Sequence, residues 1–202
     1  MTVSTEKYIC GIDEAGRGPL AGPVVTSCVI LKPGTKIEGV KDSKKLSEKK
    51  REFLFGEIIN SCLEYKIEII DNKIIDGINI LNATMLGMEK CISGIKTENI
   101  RLLIDGNYFR LNDNLQEKYE YQTIVEGDDK IFEISCASIL AKVTRDRLMR
   151  DYDIKYPEYL FAKNKGYGTP EHIQRILKFG LCDIHRKTFC KNFIQYTFED
   201  FQ

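Results

Sequence analysis

The sequence has no Cys-x-x-Cys pair, no long apolar run, no net charge and only two histidines, and each lack closes off a class of function. Its seven cysteines are scattered from Cys10 to Cys190, so neither a zinc ribbon nor a secreted disulfide framework is indicated, and reduced thiols are expected. No stretch approaches the ~18 consecutive apolar residues of a membrane helix. The N-terminus carries Glu6 and Lys7 and lacks the apolar core of a signal peptide. A soluble, cytoplasmic protein that engages no membrane is therefore expected. Thirty basic residues balance thirty acidic ones, which at first sight argues against a polyanionic partner. The distribution is uneven, however: residues 141–190 hold eleven Lys/Arg against six Asp/Glu. That basic stretch is compatible with a phosphate-binding face and equally with an ordinary solvated surface.

What is present suffices for a globular α/β fold. A chain of 202 residues, 43% of them apolar, can bury roughly 70% of its unfolded surface and needs no staples. Apolar runs bounded by Gly, Pro and acidic residues predict strands at Tyr8 to Ile12, Val24 to Leu31, Lys66 to Ile70, Ile100 to Ile104 and Tyr119 to Val125. Helical periodicity predicts a helix from Ser47 to about Cys62 with Phe53, Leu54, Ile58 and Ile59 inward, and another from Asn79 to Ile95 with Leu81, Met85, Met88 and Ile92 inward. A long helix is predicted from about Ser135 to Tyr156, stopped by Pro157, with Ile139, Val143 and Leu148 inward and Lys142, Arg145, Arg147 and Arg150 elsewhere. A last helix is marked by Thr169 as N-cap, Pro170 at its first position and Gly180 beyond its end. Without repeats or linkers, the chain reads as one α/β domain, 1–202, with a C-terminal helical region from about 157.

Asp13, Glu14, Asp105 and Asp128 lie far apart in sequence, yet each falls at the end of a predicted strand. Neighbouring strand ends converge, and carboxylates so gathered repel one another unless a cation offsets their charge. Oxygen-only ligation without nearby His or Cys suits Mg²⁺ or Mn²⁺, and four carboxylates suffice for a two-metal centre acting on a phosphodiester. The plainer alternative is that these acids form turns and cap helices. Gly11 and Gly16 have the spacing of a phosphate-binding P-loop, but Arg17 and Gly18 stand where lysine and a hydroxyl residue belong, and two acids sit inside the loop. Gly16-Arg17-Gly18 can instead expose backbone groups to a close-approaching ligand. His172 reads as a surface or packing residue, and His185 as the donor or acceptor of a structural hydrogen bond to the C-terminal segment.

Six ordered blocks carry a resemblance that covers nearly the whole chain. They are Asp13-Glu14-Ala15-Gly16-Arg17-Gly18-Pro19 with Ala21-Gly22-Pro23-Val24-Val25; Asp42-Ser43-Lys44-Lys45-Leu46; Ile104-Asp105-Gly106; Gly127-Asp128 followed by Ala137-Ser138-Ile139-Leu140-Ala141-Lys142-Val143-Thr144-Arg145-Asp146; Lys165-Gly166-Tyr167-Gly168-Thr169; and His185-Arg186-Lys187-Thr188-Phe189. In order and spacing they resemble ribonuclease HII. Cys136 and Thr188 depart from the usual residues, and Glu126 and Asp129 crowd the fourth acid. The sister ribonuclease HIII, with an added N-terminal domain and a glutamate as fourth acid, fits less well.

The resemblance implies an RNase H-like fold, a mixed five-stranded sheet flanked by helices. It implies cleavage of the RNA strand of RNA–DNA hybrids and cleavage 5′ of single ribonucleotides embedded in duplex DNA, leaving 5′-phosphate and 3′-hydroxyl ends, in ribonucleotide excision repair and DNA replication. Asp13, Glu14, Asp105 and Asp128 resemble the catalytic, metal-binding carboxylates. Gly16, Arg17 and Gly18 resemble the loop that reads the 2′-hydroxyl and the adjacent phosphate, and Tyr167 the ring that stacks on the following deoxyribose. Lys44, Lys45, Lys142, Arg145, Lys163 and Lys165 are candidate phosphate partners. A monomer is expected. Whether a replication clamp binds is left open, because the tail Phe198 to Gln202 is too short to settle it. A junction resolvase would share the acids but not the glycine loop, and a hybrid-binding module that had lost catalysis would lack an acid.

Overall fold

The computed structural model describes residues 7–40, 43 and 46–194. Five strands form one mixed sheet in the order β3-β2-β1-β4-β5. β1 (Tyr8–Ala15) pairs antiparallel with β2 (Val24–Leu31), which pairs antiparallel with β3 (Cys62–Ile70). On its other side β1 is parallel to β4 (Ile100–Asp105), which is parallel to β5 (Glu120–Ile124). This is the mixed five-stranded sheet the resemblance implies.

Side chains alternate across the pleat, and each face receives its own helices. Cys10, Ile12, Cys28, Ile30, Leu102 and Ile104 cluster with Met88, Cys91 and Ile92 of α2 (Asn72–Ser93). Val29 and Leu31 point the other way, to Leu54 and Ile58 of α1 (Glu48–Ser61) and to Ala137, Ile139, Leu140 and Val143 of α5 (Phe132–Lys155). α5 is buried without a break from Ile134 to Ala141, sandwiched between sheet and α1. Its polar residues there are satisfied: Ser135 Oγ donates to the Asp128 carbonyl at 2.7 Å, and Ser27 Oγ of β2 to the Ala137 carbonyl at 2.6 Å.

β2 occupies its predicted segment, and α7 (Pro170–Phe179) is capped as expected, Thr169 Oγ1 accepting from the His172 N–H at 3.2 Å. β1 runs further than expected because its pairing with β2 continues through Asp13, Glu14 and Ala15, so the two acids lie inside the strand rather than beyond it. β3 begins at Cys62, not Lys66. α2 begins at Asn72, where Asp71 caps the Ile74 N–H at 2.9 Å, and it breaks at Asn79, whose φ of 65° turns the chain and whose side chain caps Asn82 at 3.0 Å. The sequence pattern found only the second of these end-to-end helices. The one-turn helices α4 (Gly127–Lys130), α6 (Phe161–Asn164) and α8 (Lys191–Ile194), and the six-residue α3 (Asp113–Lys118), are too short to show periodicity. Phe53 and Leu81, expected inward, are 58% and 40% exposed.

The segment after α5 folds back on the β1–β2 loop. Ala21 of that loop joins Met149, Tyr159, Phe161, Ile176, Ile184 and Cys190 in one cluster. Hydrogen bonds stitch the two together: Leu20 N–H to the Gly166 carbonyl (2.8 Å), Gly22 N–H to Ile184 (2.9 Å) and Arg186 N–H to Leu20 (2.8 Å). A basic C-terminal segment is thereby held beside the glycine loop.

Candidate active site

Ile12 pairs with Ile104 in the parallel register, so the next residues, Asp13 and Asp105, leave the sheet on the same face, beside α5. With Glu14 they line a cleft of about 230 Å³, whose lining also includes Ser43, Ser138 and Lys142 as well as Gly16, Arg17, Gly18 and Tyr167. Asp13 is 4% exposed and its Oδ1 accepts the Glu14 N–H at 2.6 Å. Burial first, then the charges of Glu14 and Asp105, push its pKa well above the ordinary carboxylate value, against the hydrogen bonds from Glu14 and Ser138. Asp105 Oδ1 accepts the Gly127 N–H at 2.7 Å, which fastens α4 to the end of β4. Asp128 is the next residue, buried, and it rides on this helical turn rather than on the tip of β5. Among the described residues no three acidic, histidine or cysteine side chains form a group that could hold a metal ion as they stand; Asp13, Glu14 and Asp105 border an open cleft whose lining does not include Asp128.

Sequence reasoning gave no role to three residues here. Ser43 and Ser138 share a hydrogen bond at 2.9 Å in the cleft wall. Arg186 is fully buried beneath the glycine loop, donating to the carbonyls of Gly16 (2.6 Å), Arg17 (2.8 Å) and Gly22 (3.0 Å). The signal was its place in the block from His185 to Phe189, but nothing in the pattern said where it pointed.

Arg145 is corrected. Expected to meet phosphate, it is 1% exposed and donates to the carbonyls of Pro23 (3.0 Å), Ala21 (3.1 Å) and Lys165 (2.9 Å). It ties the β1–β2 loop to the segment carrying Tyr167, and its guanidinium lies 5.9 Å from the Tyr167 ring centre. Burial draws the pKa of Arg145 down to about 10; burial and the Arg145 charge draw Arg186 down to about 9, so both stay cationic at neutral pH. Lys165 is turned to the Ala162 carbonyl at 2.6 Å, and Lys163 is paired with Glu171 at 2.6 Å. Lys142 reaches the cleft while its ammonium pairs with buried Asp146 at 2.6 Å. Arg17 is half exposed and faces Glu14 at 3.5 Å. Tyr167 is 45% exposed. Lys44, Lys45 and the tail 198–202 lie outside the described residues.

The two histidines meet beneath Tyr167. His172 Nδ1 is 2.9 Å from the Tyr167 carbonyl, which can only accept, so Nδ1 carries the proton. His185 Nδ1 accepts the Cys182 N–H at 2.9 Å, so its proton is on Nε2, aimed at His172 Nε2 at 3.1 Å. Both rings are therefore neutral, and both are buried rather than on the surface. Burial pushes the pKa of His172 down; burial and the neighbouring His172 push His185 down to about 4. A histidine depressed in the folded state stabilises it fully above the unfolded value near 6.5 and loses that contribution as pH falls toward 4. For His185 alone the loss amounts to roughly 3 kcal/mol. Urea titrations at pH 7 and 4.5 should show this fall, and His185→Gln should show a smaller one. An equal fall in the variant would return the acid sensitivity to the carboxylates.

A family profile described as Ribonuclease HII matches residues 10–192. The chain belongs to the ribonuclease HII family. It is 55% identical over 188 residues to "Ribonuclease HII" of Ruminiclostridium cellulolyticum, covering 93% of this chain and 72% of that protein. The crystal structure of ribonuclease H2 from Pyrococcus horikoshii superposes with a TM-score of 0.76 at 28% identity, covering 95% of this chain and 99% of that one. Bst-RNase HIII, solved in complex with Mn²⁺, shares the fold at a TM-score of 0.71 and 16% identity, over 95% of this chain and 70% of that one. Ribonuclease HII enzymes are hydrolases that cut RNA in RNA–DNA hybrids, and this chain is a ribonuclease H of that kind. The acids here have the chemistry to hold a divalent ion: the cleft presents carboxylate oxygens without His or Cys, and the buried Asp13 beside two further acids calls for a positive neighbour.

Proposed function

We propose that this chain cleaves RNA–DNA hybrids and, in particular, the bond 5′ of a single ribonucleotide within duplex DNA, as a monomeric single catalytic domain. The observation that carries the reading is the shared cleft, which Asp13, Glu14 and Asp105 line together with Gly16, Arg17, Gly18 and Tyr167. Asp13, Glu14, Asp105 and Asp128 would hold two divalent ions, Mg²⁺ or Mn²⁺, which when bound supply charge stabilisation for attacking water and leaving oxygen. The chain's own residues do the rest. Ser138 and the Glu14 amide fix Asp13, the Gly127 amide fixes Asp105, and the buried arginines hold the loop. The loop's backbone groups approach the 2′-hydroxyl, the one polar group that separates RNA from DNA at a given position. Lys142, beside the acids, would offer its charge to a phosphate in competition with Asp146. Products would carry 5′-phosphate and 3′-hydroxyl ends.

The deciding assay incubates the protein with duplex DNA holding one ribonucleotide, with and without Mg²⁺, and maps the cut. A cut 3′ of the ribonucleotide, or no cut, would overturn the reading.

Tyr167 supplies a sharper test. Its ring stands beside Gly18, so a sugar entering between loop and acids would meet it. A ring packed on deoxyribose loses contact when a 2′-hydroxyl is added. Tyr167→Ala should therefore cut kcat/KM at a lone ribonucleotide by roughly ten- to a hundredfold, as expected for about 1–3 kcal/mol of lost stacking. The loss within a long hybrid should be smaller, and Tyr167→Phe should lose far less. Equal losses on both substrates would make Tyr167 a residue of general binding.

A further inference from the structure

We propose that Arg186 is a specificity-determining positioning residue, which aims two consecutive backbone amides of the glycine loop at the 2′-oxygen of the ribonucleotide. The proposal deepens the reading of the loop as a ribonucleotide sensor and rests on it.

The argument is one of peptide geometry. In a trans peptide unit the C=O and the following N–H point in opposite directions. Arg186 Nη2 holds the Gly16 carbonyl at 2.6 Å and Nη1 holds the Arg17 carbonyl at 2.8 Å, both from inside the protein. The amides of the same two units, Arg17 N–H and Gly18 N–H, therefore face outward, toward the cleft that Gly16, Arg17 and Gly18 line. Nothing among the described residues accepts either amide. Successive outward N–H groups make a small concavity for an oxygen acceptor. A third bond, Nε to the Gly22 carbonyl at 3.0 Å, anchors the guanidinium to the far end of the loop, so rotating one carbonyl out would disturb the other two.

The surroundings support a role in orientation rather than in charge pairing. Arg186 is fully buried and makes no ion pair among the described residues; its contacts are carbonyls and the Phe189 ring, 5.2 Å from its Cζ. A buried guanidinium is expensive unless its donors are used, and here three of them go to one loop. Lysine keeps the charge but lacks the planar fork that spans neighbouring carbonyls.

The test compares two duplexes of one sequence, one all DNA and one with a single ribonucleotide, bound by protein carrying Asp13→Asn to prevent cleavage. Arg186→Lys in that background should lower the preference for the ribonucleotide duplex by roughly tenfold, about one well-made hydrogen bond, with all-DNA affinity unchanged. An unchanged preference, or an equal loss on both duplexes, would overturn the proposal. A second measurement does not depend on the variant folding. On adding each duplex to the ¹⁵N-labelled parent, the Arg17 and Gly18 amide signals should shift more with the ribonucleotide duplex. Equal shifts with both duplexes would overturn the proposal as well. A parent without any preference between the duplexes would refute the sensor reading itself, a failure visible before Arg186 is changed.

Discussion

Asp13→Asn should lower the cleavage rate by more than about a hundredfold while raising the melting temperature in metal-free buffer. Changing residues that merely support a metal ligand costs ~10–100-fold, so loss of Asp13, proposed as a direct ligand, should exceed that. The opposite sign for stability follows from the cleft. Asp13 is 4% exposed and its charge is opposed by desolvation and by Glu14 and Asp105. The amide keeps the Oδ1 that accepts the Glu14 N–H and removes the charge. Relief of about 1 kcal/mol corresponds to roughly 2–4 °C for a chain of this size. Adding Mg²⁺ should raise the melting temperature of the wild type more than that of the variant, since a ligand that binds only the folded state stabilises it. Calorimetry with and without chelator and single-turnover cleavage check both halves. Near-normal turnover would remove Asp13 from the catalytic set, and a lower melting temperature would show that its charge is already offset without metal.

The contrast between the acids and the arginines shows what a sequence can disclose. Asp13 and Asp105 were legible because each ends an apolar run, a local signal for the tip of a strand; the parallel pairing of Ile12 with Ile104 that sets them side by side came from the structure. Asp128 was read from its block and placed at a strand tip; its helical turn was not foreseen, since four residues carry no period. Arg145 and Arg186 were misplaced or passed over for a physical reason. Arginine is rarely buried without a carboxylate, so type and helix position argued for the surface. Their partners are carbonyls as far as 170 residues away in sequence, and a carbonyl leaves no trace in side-chain pattern. The His172–His185 contact was hidden likewise, as it depends on how the segment after α5 folds back over the β1–β2 loop. That fold-back also explains how a chain with no net charge builds a cationic floor under its loop: two guanidiniums are enclosed there, while Asp13, Glu14 and Asp105 share the cleft with the loop.

Gly16→Ala and Gly18→Ala should separate the frame of the loop from its ligand-facing side. Gly16 has a φ of +99°, and a Cβ there would lie 2.0 Å from Arg145 Nε and 2.8 Å from the Pro23 carbonyl oxygen. The backbone conformation costs an L-residue roughly 1–3 kcal/mol, and overpacking costs about as much again. Together these take a large share of the ~5–15 kcal/mol that keeps a domain folded. The damage also spreads, because displacing Arg145 frees the carbonyls of Ala21, Pro23 and Lys165 and so loosens the segment bearing Tyr167. A drop of roughly 5–20 °C in melting temperature, with loss of cleavage on every substrate, is expected for Gly16→Ala. Gly18 differs: it is exposed, its φ is not in the left-handed region, and the nearest atom to an added Cβ is Tyr167 Cε1 at 3.9 Å. Stability should stay within about 0.5 kcal/mol of wild type. The methyl group would nonetheless stand between loop and ring, in the space a ribose must enter. Cleavage at a lone ribonucleotide should therefore fall while the melting curve stays in place. Parallel melts and kcat/KM values decide the matter, and a Gly18→Ala protein that cuts normally would move the ribose away from the loop.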